Sequence, residues 1–469
     1  MENKRLIKKT GIYFIGNLSS KILSVLLVPL YAFYIGANDL GEFDYSNTLV
    51  NVFVPIAFLA IWEAILRFLL AENETEKKKK MITSSSFFAF FASVLLAIAI
   101  FVYYHYFSYN RYTGYIMLMM VVSGLTTIWQ YYSRALGRNK VYVLAAIVGT
   151  TINFLCNVIF ICVFKKGIEA LYISNIVGNL AICLTIELKL RITANIHRKD
   201  FDFKILKQML IFSSPLVINL ISAWAINGFG KIIITNSLGA NANGLYAFAN
   251  KFSIIVTFIG SVLNMAIIEE AILIGKEGNM GKEFAKTIQN IFEKFILLLI
   301  VAIPAITVFY YLIGSTEYYT SRIYFPFLLF YALLMTMSTN IGSVFQAINK
   351  TKYIFITTVL GAIFTVSISV LLINQLGVFA VVLGQTVGAF TMLISRYCLI
   401  QKFASVKLNW RRIILLIISY FILGFISLKA NVALNVIIEL IIFSVLAYIY
   451  KSYIQKGMLI VRRKLKKDN

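Results

Sequence analysis

The sequence predicts an all-α integral membrane protein with about 14 transmembrane helices, and three observations lead to this fold class. Of the 469 residues, 60% are hydrophobic and only 14% are charged, and the mean hydropathy is +0.82. Soluble domains carry about 25% charged residues, so water could not dissolve a fold with this much apolar surface. The apolar segments are about 20 residues long, as a membrane-crossing helix requires. Their continuous hydrophobicity excludes the alternating strands of a β-barrel.

Polar breaks divide the apolar sequence into fourteen segments. The first is too long and too polar for a cleavable signal peptide, so we interpret it as a span. No connecting segment on the predicted outer side is long enough for a soluble catalytic domain. The predicted spans are 11–35, 45–70, 83–107, 114–133, 141–164, 169–188, 208–238, 246–272, 287–313, 323–346, 353–374, 378–399, 413–428 and 433–452.

The basic residues predict the orientation of these spans. Most of the 44 Lys and Arg residues lie in segments that are cytoplasmic if the N-terminus is inside the cell. We therefore expect a multi-pass protein of the cell membrane with both termini in the cytoplasm, following the positive-inside rule. The net charge of +24 is spread over short loops, where anionic membrane lipids account for it and nucleic acid is not required. The loop cations predicted to lie outside are Arg111, Lys165, Lys166, Arg322 and Lys429.

An internal repeat predicts how the spans are arranged. The segment GANDLGEFDYSN at 36–47 shares five identical positions with GANANGLYAFAN at 239–250, and both are interpreted as turns after a span. Matches at similar offsets join 135–140 to 347–352 and 167–178 to 377–388. The chain is thus predicted to hold two six-helix lobes, 1–200 and 201–400, as a parallel repeat around a central cavity. Residues 401–469 add two helices and a basic cytoplasmic tail.

Several local motifs resemble one transporter family. They are the Pro-Leu-Tyr sequence at 29–31, the GANDLGEFDYSN segment, the AILRF sequence at 64–68 and the RALGRNK loop at 134–140. Over residues 1 to about 400 the chain resembles the Wzx-type polysaccharide flippases of the multidrug/oligosaccharidyl-lipid/polysaccharide (MOP) exporter superfamily. The resemblance implies transport of oligosaccharide repeat units, linked to undecaprenyl diphosphate, from the cytoplasmic to the outer leaflet for capsule or exopolysaccharide. It also implies a polymerase and glycosyltransferases as pathway partners.

Ionisable groups inside spans are costly and therefore indicate functional sites. Lys21 lies near the middle of the first span, and its spacing from Asn17, Ser20 and Ser24 places all four on one helix face. We expect this polar stripe to face the cavity, although a seam of hydrogen bonds between helices is an alternative. A diphosphate needs basic partners in a low-dielectric site, which favours a lysine facing the substrate.

Further candidates lie on spans 2, 7 and 8. Arg67 follows Glu63 by four residues, so an ion pair with snorkelling is as good an interpretation as substrate contact. Lys231 and Lys251 lie nearer the predicted outer face, where anchoring to the membrane surface is the alternative. The stripe along span 8 consists of Asn250, Ser253, Thr257, Ser261 and Asn264. The complete set of predicted cavity residues is Asn17, Lys21, Ser24, Glu63, Arg67, Asn227, Lys231, Lys251 and Asn264.

Other features give weaker signals. Glu269, Glu270 and Glu439 could take up a coupling proton or sodium ion, or could simply be solvated. No glycine-rich phosphate loop, nucleophile motif or metal-ligand spacing occurs, so we expect no enzymatic activity, cofactor or metal site. The four cysteines lie in apolar runs and are interpreted as packing residues. Prolines inside spans are expected to kink them; these are Pro29, Pro55, Pro215 and Pro304.

Three alternatives stay open. A cation-coupled drug or metabolite exporter of the same superfamily would favour a cavity led by carboxylates, whereas the deepest charge here is a lysine. A lipid II flippase suits the count of 14 spans, and only a substrate assay separates it from the glycan flippase. A membrane glycan polymerase is a different class, and it would be expected to carry a large external loop or paired acids at one membrane face.

Overall fold

The computed structural model describes residue 23 and residues 26–107, 110–275, 280–348, 350–403 and 406–449. The side chains of 261–284, 346–347 and 446–449 are outside this description. In the described part the chain is helical throughout, with short connections and no strand. The predicted all-α membrane fold class is therefore confirmed.

The helices follow one another in an order that matches the predicted spans. With α2 and α3 taken as one broken span, the fifteen helices of the described part correspond one to one to the fourteen predicted segments. They are α1 (26–34), α2 (Ala37–Ala57), α3 (Ile61–Leu69), α4 (Thr75–Tyr106), α5 (Thr113–Ala135), α6 (Asn139–Val163), α7 (Ile168–Leu190), α8 (Phe203–Leu238), α9 (Ala240–Gly275), α10 (Met280–Leu312), α11 (Phe325–Ala347), α12 (Thr351–Leu376), α13 (Val378–Ile400), α14 (Trp410–Lys429) and α15 (Val432–Ile449).

Length and composition support a membrane location for most of these helices. Nine single helices in the described part, and the bent α2–α3 pair, are long and apolar enough to cross a bilayer. Large apolar side chains are exposed along them, including Phe90 at 70%, Leu188 at 77% and Leu371 at 72%. Such exposure is costly in water but is expected where lipid chains are the solvent.

The predicted turn at 36–47 is wrong, because residues 37–47 are the first three turns of α2. Its counterpart at 239–250 is likewise almost entirely the start of α9. The polar and small residues of the two segments are there because helices contact one another, not because the chain turns. Leu40, Gly41 and Ser46 are buried against neighbouring helices, whereas only Gly36 and Gly239 lie before the helices as their N-terminal flanking residues.

The second predicted span is broken in the middle. After Pro55 the axis bends by 58° between α2 and α3, and Leu59 and Ala60 both have positive φ, at 46° and 47°. This left-handed conformation is uncommon for residues with a side chain. The backbone donor that Pro55 lacks would pair with residue 51, on the N-terminal side of the proline, so Pro55 alone does not explain a break that follows it. By contrast, α8 and α10 continue through Pro215 and Pro304.

Helices α2 and α9 cross in backbone contact. A Cβ atom added to Gly41 would lie 1.8 Å from the carbonyl oxygen of Ala240, and one added to Gly244 would lie 1.8 Å from that of Ala37. Both pairs of positions are related by the repeat offset of 203 residues. The crossing therefore has the local two-fold relation expected of a duplicated chain, while the equivalence of lobes 1–200 and 201–400 stays a prediction.

Buried apolar side chains form two clusters in the described residues. One is drawn from residues between Val50 and Val217, and the other from the end of α1, the start of α2 and residues up to Tyr420. The start of α2 thus packs with the second cluster, while its continuation packs with the first. Side chains on α2 between these two clusters lie at the junction of the two packing units.

Candidate functional site

A largely shielded ion pair joins α2 to α8 at this junction. The Nζ atom of Lys231 lies 2.9 Å from Oδ1 of Asp44, and the two side chains are only 15% and 16% exposed. Close by, the indole of Trp224 on α8 donates a hydrogen bond to the Thr48 carbonyl of α2. Lys231 is therefore not extended towards the membrane surface as an anchor. It is held between the two packing units by a carboxylate.

A second lysine belongs to the same cluster. Lys251 on α9 places its Nζ atom 5.0 Å from the ring centroid of Tyr31 on α1, a distance at which a cation is attracted by an aromatic face. Lys251 lies near enough to Asp44 and Lys231 for their charges to influence one another, although no ion pair within 4.0 Å joins it to Asp44. Tyr31 in turn donates a hydrogen bond of 3.3 Å to Asn157 on α6. Tyr31 thus contacts both Lys251 on α9 and Asn157 on α6.

The charges in this cluster do not cancel. Among the described residues, Lys231 forms an ion pair with Asp44 and Lys251 forms none, so the cluster keeps one unpaired positive charge, and Oδ2 of Asp44 is buried without a hydrogen-bond partner. Sequence reasoning missed Asp44 because it placed this residue in a turn. The available signal was its spacing: Leu40, Gly41, Asp44 and Thr48 recur at the intervals that mark one helix face.

Glu63 and Arg67 lie away from the lysine cluster, and each contacts an aromatic residue instead of the other. Glu63 accepts a hydrogen bond of 3.0 Å from the Tyr131 hydroxyl of α5, and the exposed Arg67 lies over the Phe212 ring of α8 at 4.4 Å. Along α8, Phe212 and Lys231 are 19 positions apart, which is about 28 Å of helix. The structure therefore separates these two candidates from the lysine cluster.

Asn227 lies one helical turn from Lys231 and faces the second packing unit. It accepts a hydrogen bond of 2.7 Å from Tyr331 and donates one of 3.0 Å to the Ala223 carbonyl. Its exposed side chain lines a cavity of about 190 Å³ that also contains Arg396. Arg396 was not among the predicted site residues, and the available signal was its position inside the predicted span 378–399.

The remaining predicted candidates fall outside the description. Asn17, Lys21 and Ser24 are not among the described residues, and the same applies to the side chain of Asn264. Their place in the cavity stays a prediction. The side chains of Glu269 and Glu270 are also outside it. Glu439 on α15 has a buried Oε2 atom without a hydrogen-bond partner in the described part.

The end of the molecule beside the glycine crossing is held closed by Glu317. This residue begins the 3₁₀ segment Glu317–Ile323. Its carboxylate accepts the backbone N–H of Ala37 at 2.6 Å and the side-chain amide of Asn241 at 3.2 Å. Next to it, the hydroxyl of Tyr318 donates to the Ile35 carbonyl at 2.9 Å. One acidic side chain thus joins the N-terminal turns of α2 and α9, where a carboxylate is favoured by the helix dipole.

The helix arrangement is similar to that of several solved membrane transporters. A lipid II flippase, MurJ, in an inward closed conformation has a TM-score of 0.69 at 13% identity, with 94% of this chain and 100% of that chain covered. An inward-facing MATE family multidrug resistance transporter of the MOP superfamily has a TM-score of 0.65 at 16% identity. The match covers 82% of this chain and 94% of that chain. A variant of the Vibrio cholerae MATE transporter VcmN has a TM-score of 0.58 at 15% identity, and the match covers 85% of this chain and 97% of that chain.

Sequence comparison then gives the family. Residues 6–268, more than half of the chain, match the family described as "Polysaccharide biosynthesis protein", and the protein belongs to this family. The resemblance to Wzx-type flippases of the MOP superfamily is thereby confirmed. No curated sequence is significantly similar to the chain.

Proposed function

We propose that this protein is a flippase that moves oligosaccharide repeat units, linked to undecaprenyl diphosphate, from the cytoplasmic to the outer leaflet by alternating access. It acts in the cell membrane with both termini in the cytoplasm and serves the synthesis of a capsule, exopolysaccharide or related surface glycan. The polymerase and glycosyltransferases of that pathway are its functional partners.

The observation that carries this proposal is the net positive charge of the Asp44–Lys231–Lys251 cluster at the junction of the packing units. A cation buried in a membrane protein is costly, so its retention favours an anionic ligand. A diphosphate group supplies several acceptor oxygens, and Lys231 and Lys251 can bind it as point charges. A cationic drug would find only one carboxylate in the cluster, and that carboxylate is already paired with Lys231. The family match supports the glycan pathway over lipid II.

The proposal is tested by transport into proteoliposomes. Purified protein is reconstituted and offered polyprenyl-diphosphate-linked oligosaccharide, lipid II or a cationic drug, and the fraction translocated is measured for each. We expect the oligosaccharide substrate to be translocated fastest. If lipid II or the drug is translocated fastest, the proposed substrate is wrong and that alternative is correct.

A variant series tests the role of the lysine cluster in the same assay. Lys251→Met keeps the length of the side chain but removes its charge, and it should slow translocation about tenfold or more, since a hydrogen bond to a charged group contributes about 1.5–3 kcal/mol. Lys429→Met is the matched control, because Lys429 contacts the ring of Phe425 outside the cluster. Unchanged transport by the Lys251 variant would remove this cluster from the substrate path.

A further inference from the structure

Arg396 is an almost fully buried arginine that the proposed transport path does not use. It is 4% exposed and lies on α13, four residues before the end of the helix. Its Nε atom donates to Thr357 at 3.0 Å, Nη1 donates to the Ser338 carbonyl at 2.9 Å, and Nη2 donates to Thr358 at 2.9 Å. A longer contact of 3.5 Å joins Nη2 to the Ile354 carbonyl. All of these acceptors belong to α11 and α12.

None of these acceptors is charged. Arginine keeps its positive charge in proteins, and no carboxylate that the structure describes lies within 4.0 Å of Arg396. The four hydrogen bonds use four of the five guanidinium donors, which leaves one N–H on Nη1 without an acceptor in the described part of the chain. Hydrogen bonds to neutral oxygens fix the side chain but do not balance its charge, and an unbalanced buried charge is strongly unfavourable.

The guanidinium lies at the wall of a cavity. This cavity has a volume of about 190 Å³ and is lined by residues of α8, α11, α12 and α13. Its polar lining includes Asn227, Thr339 and Thr358 beside Arg396, and a Cβ atom on Gly342 would lie 2.8 Å from Nη1. Gly342 therefore leaves the guanidinium room beside α11. The side-chain amide of Asn227 uses one of its two N–H donors on Ala223, so the second is free to meet a ligand.

We propose that this cavity binds a small oxyanion, a carboxylate or phosphate group, between Arg396 and Asn227. Arginine is the residue best suited to oxyanions, because its planar donors match their geometry. The volume holds several water molecules or one such group but is below the roughly 300 Å³ of ordinary ligand pockets. A whole polyprenyl diphosphate does not fit. The group comes either from a free anion or from an acidic sugar of a larger substrate, and the site does not depend on the proposed transport function.

Binding is measured on the purified full-length protein through its thermal unfolding temperature. A ligand that binds the native state raises this temperature in a concentration-dependent way. The probes are inorganic phosphate and acetate for a free anion, glucuronate and glucose 1-phosphate for an acidic sugar, and glucose as the neutral control. Chloride holds the ionic strength constant in every sample, because screening alone changes electrostatic stability.

Two variants separate binding from folding. Arg396→Gln should raise the apparent dissociation constant for the anions at least about tenfold, with the exposed Arg411→Gln as the matched control. If Arg396→Gln does not fold, Asn227→Asp decides, because it preserves shape and the bond from Tyr331 while repelling an anion. Its control is Asn409→Asp, which keeps an acceptor at the N-terminus of α14.

The outcomes are distinct. Stabilisation by phosphate and acetate that both variants lose supports a site for free anions, and tighter binding of the sugar acids assigns the group to a glycan. If no probe stabilises the wild-type protein more than chloride does, or if the variants respond as the wild type does, the proposal is wrong and Arg396 only joins α11, α12 and α13. Because no transport is measured, this result is independent of the test of the proposed function.

Discussion

The glycine crossing predicts that one added methyl group will open the end of the molecule that Glu317 closes. In Gly41→Ala the new Cβ would lie 1.8 Å from the Ala240 carbonyl oxygen, whereas real Cβ atoms essentially never approach within 3.0 Å. Helices α2 and α9 must therefore separate by at least 1.2 Å, since the opposing atoms belong to the backbone. Overpacking of this kind costs about 1–3 kcal/mol. It acts against the closed state, so the open state should become about 5 to 150 times more populated.

The assay uses a cysteine at a position that only opening exposes. Asn243 is 0% exposed and donates to the Gly41 carbonyl at 2.9 Å, so Asn243→Cys, in a chain without the four native cysteines, should react slowly with an impermeant maleimide. Adding Gly41→Ala should accelerate labelling by the same factor, because the rate follows the open population. Gly114→Ala is the control, since its Cβ meets nothing within 4 Å. Equal labelling with Gly41→Ala and Gly114→Ala would refute the reasoning.

Two further predictions concern orientation and the first span. Cysteines at Asn38 and Asn241, both exposed in the first turns of α2 and α9, should react with an impermeant thiol reagent on intact cells; labelling only after permeabilisation would reverse the topology. Lys21→Ala should abolish glycan export while the protein still inserts, and Lys21→Arg should keep part of the activity because the charge survives. Wild-type export by the alanine variant would mean that this lysine is structural.

The positions of the helices were predictable because the bilayer imposes a length and a continuous hydrophobicity on each span. The exception is instructive: hydropathy placed a turn at 36–47, where the structure has the start of α2. Small and polar residues indicate a chain segment that is not in contact with lipid. Both a loop in water and a helix packed against another helix meet this condition, so composition alone does not distinguish them. The exact repeat of Gly41 at Gly244 contained the missing information, since both glycines are needed where the backbones touch.

The site was predictable only in part. Lys231 and Lys251 were identified from their position inside spans, and the structure places both near Asp44, which forms its ion pair with Lys231. Glu63 and Arg67 were identified by the same rule, yet they contact Tyr131 and Phe212 instead. The position of a charge along its own helix is readable from sequence, whereas the neighbours it meets depend on how helices pack. Arg396 illustrates the same limit, because its significance rests on the cavity and not on its depth.

When no anion is bound, two lysines close together in the membrane are energetically unfavourable, and this cost explains why Asp44 lies beside them. Two lysines near each other repel, by about 4 kcal/mol for charges 4 Å apart at an effective dielectric constant of 20, and burial adds a desolvation cost. Asp44 offsets both while leaving one positive charge, and its pairing with Lys231 joins α2 to α8. Under the proposed function, an incoming diphosphate would exchange one anionic partner of Lys231 for another, which costs less than burying an ammonium group that has no partner. Under the proposed function, the same exchange would release the contact between α2 and α8, so that binding of the anion and separation of these helices favour each other.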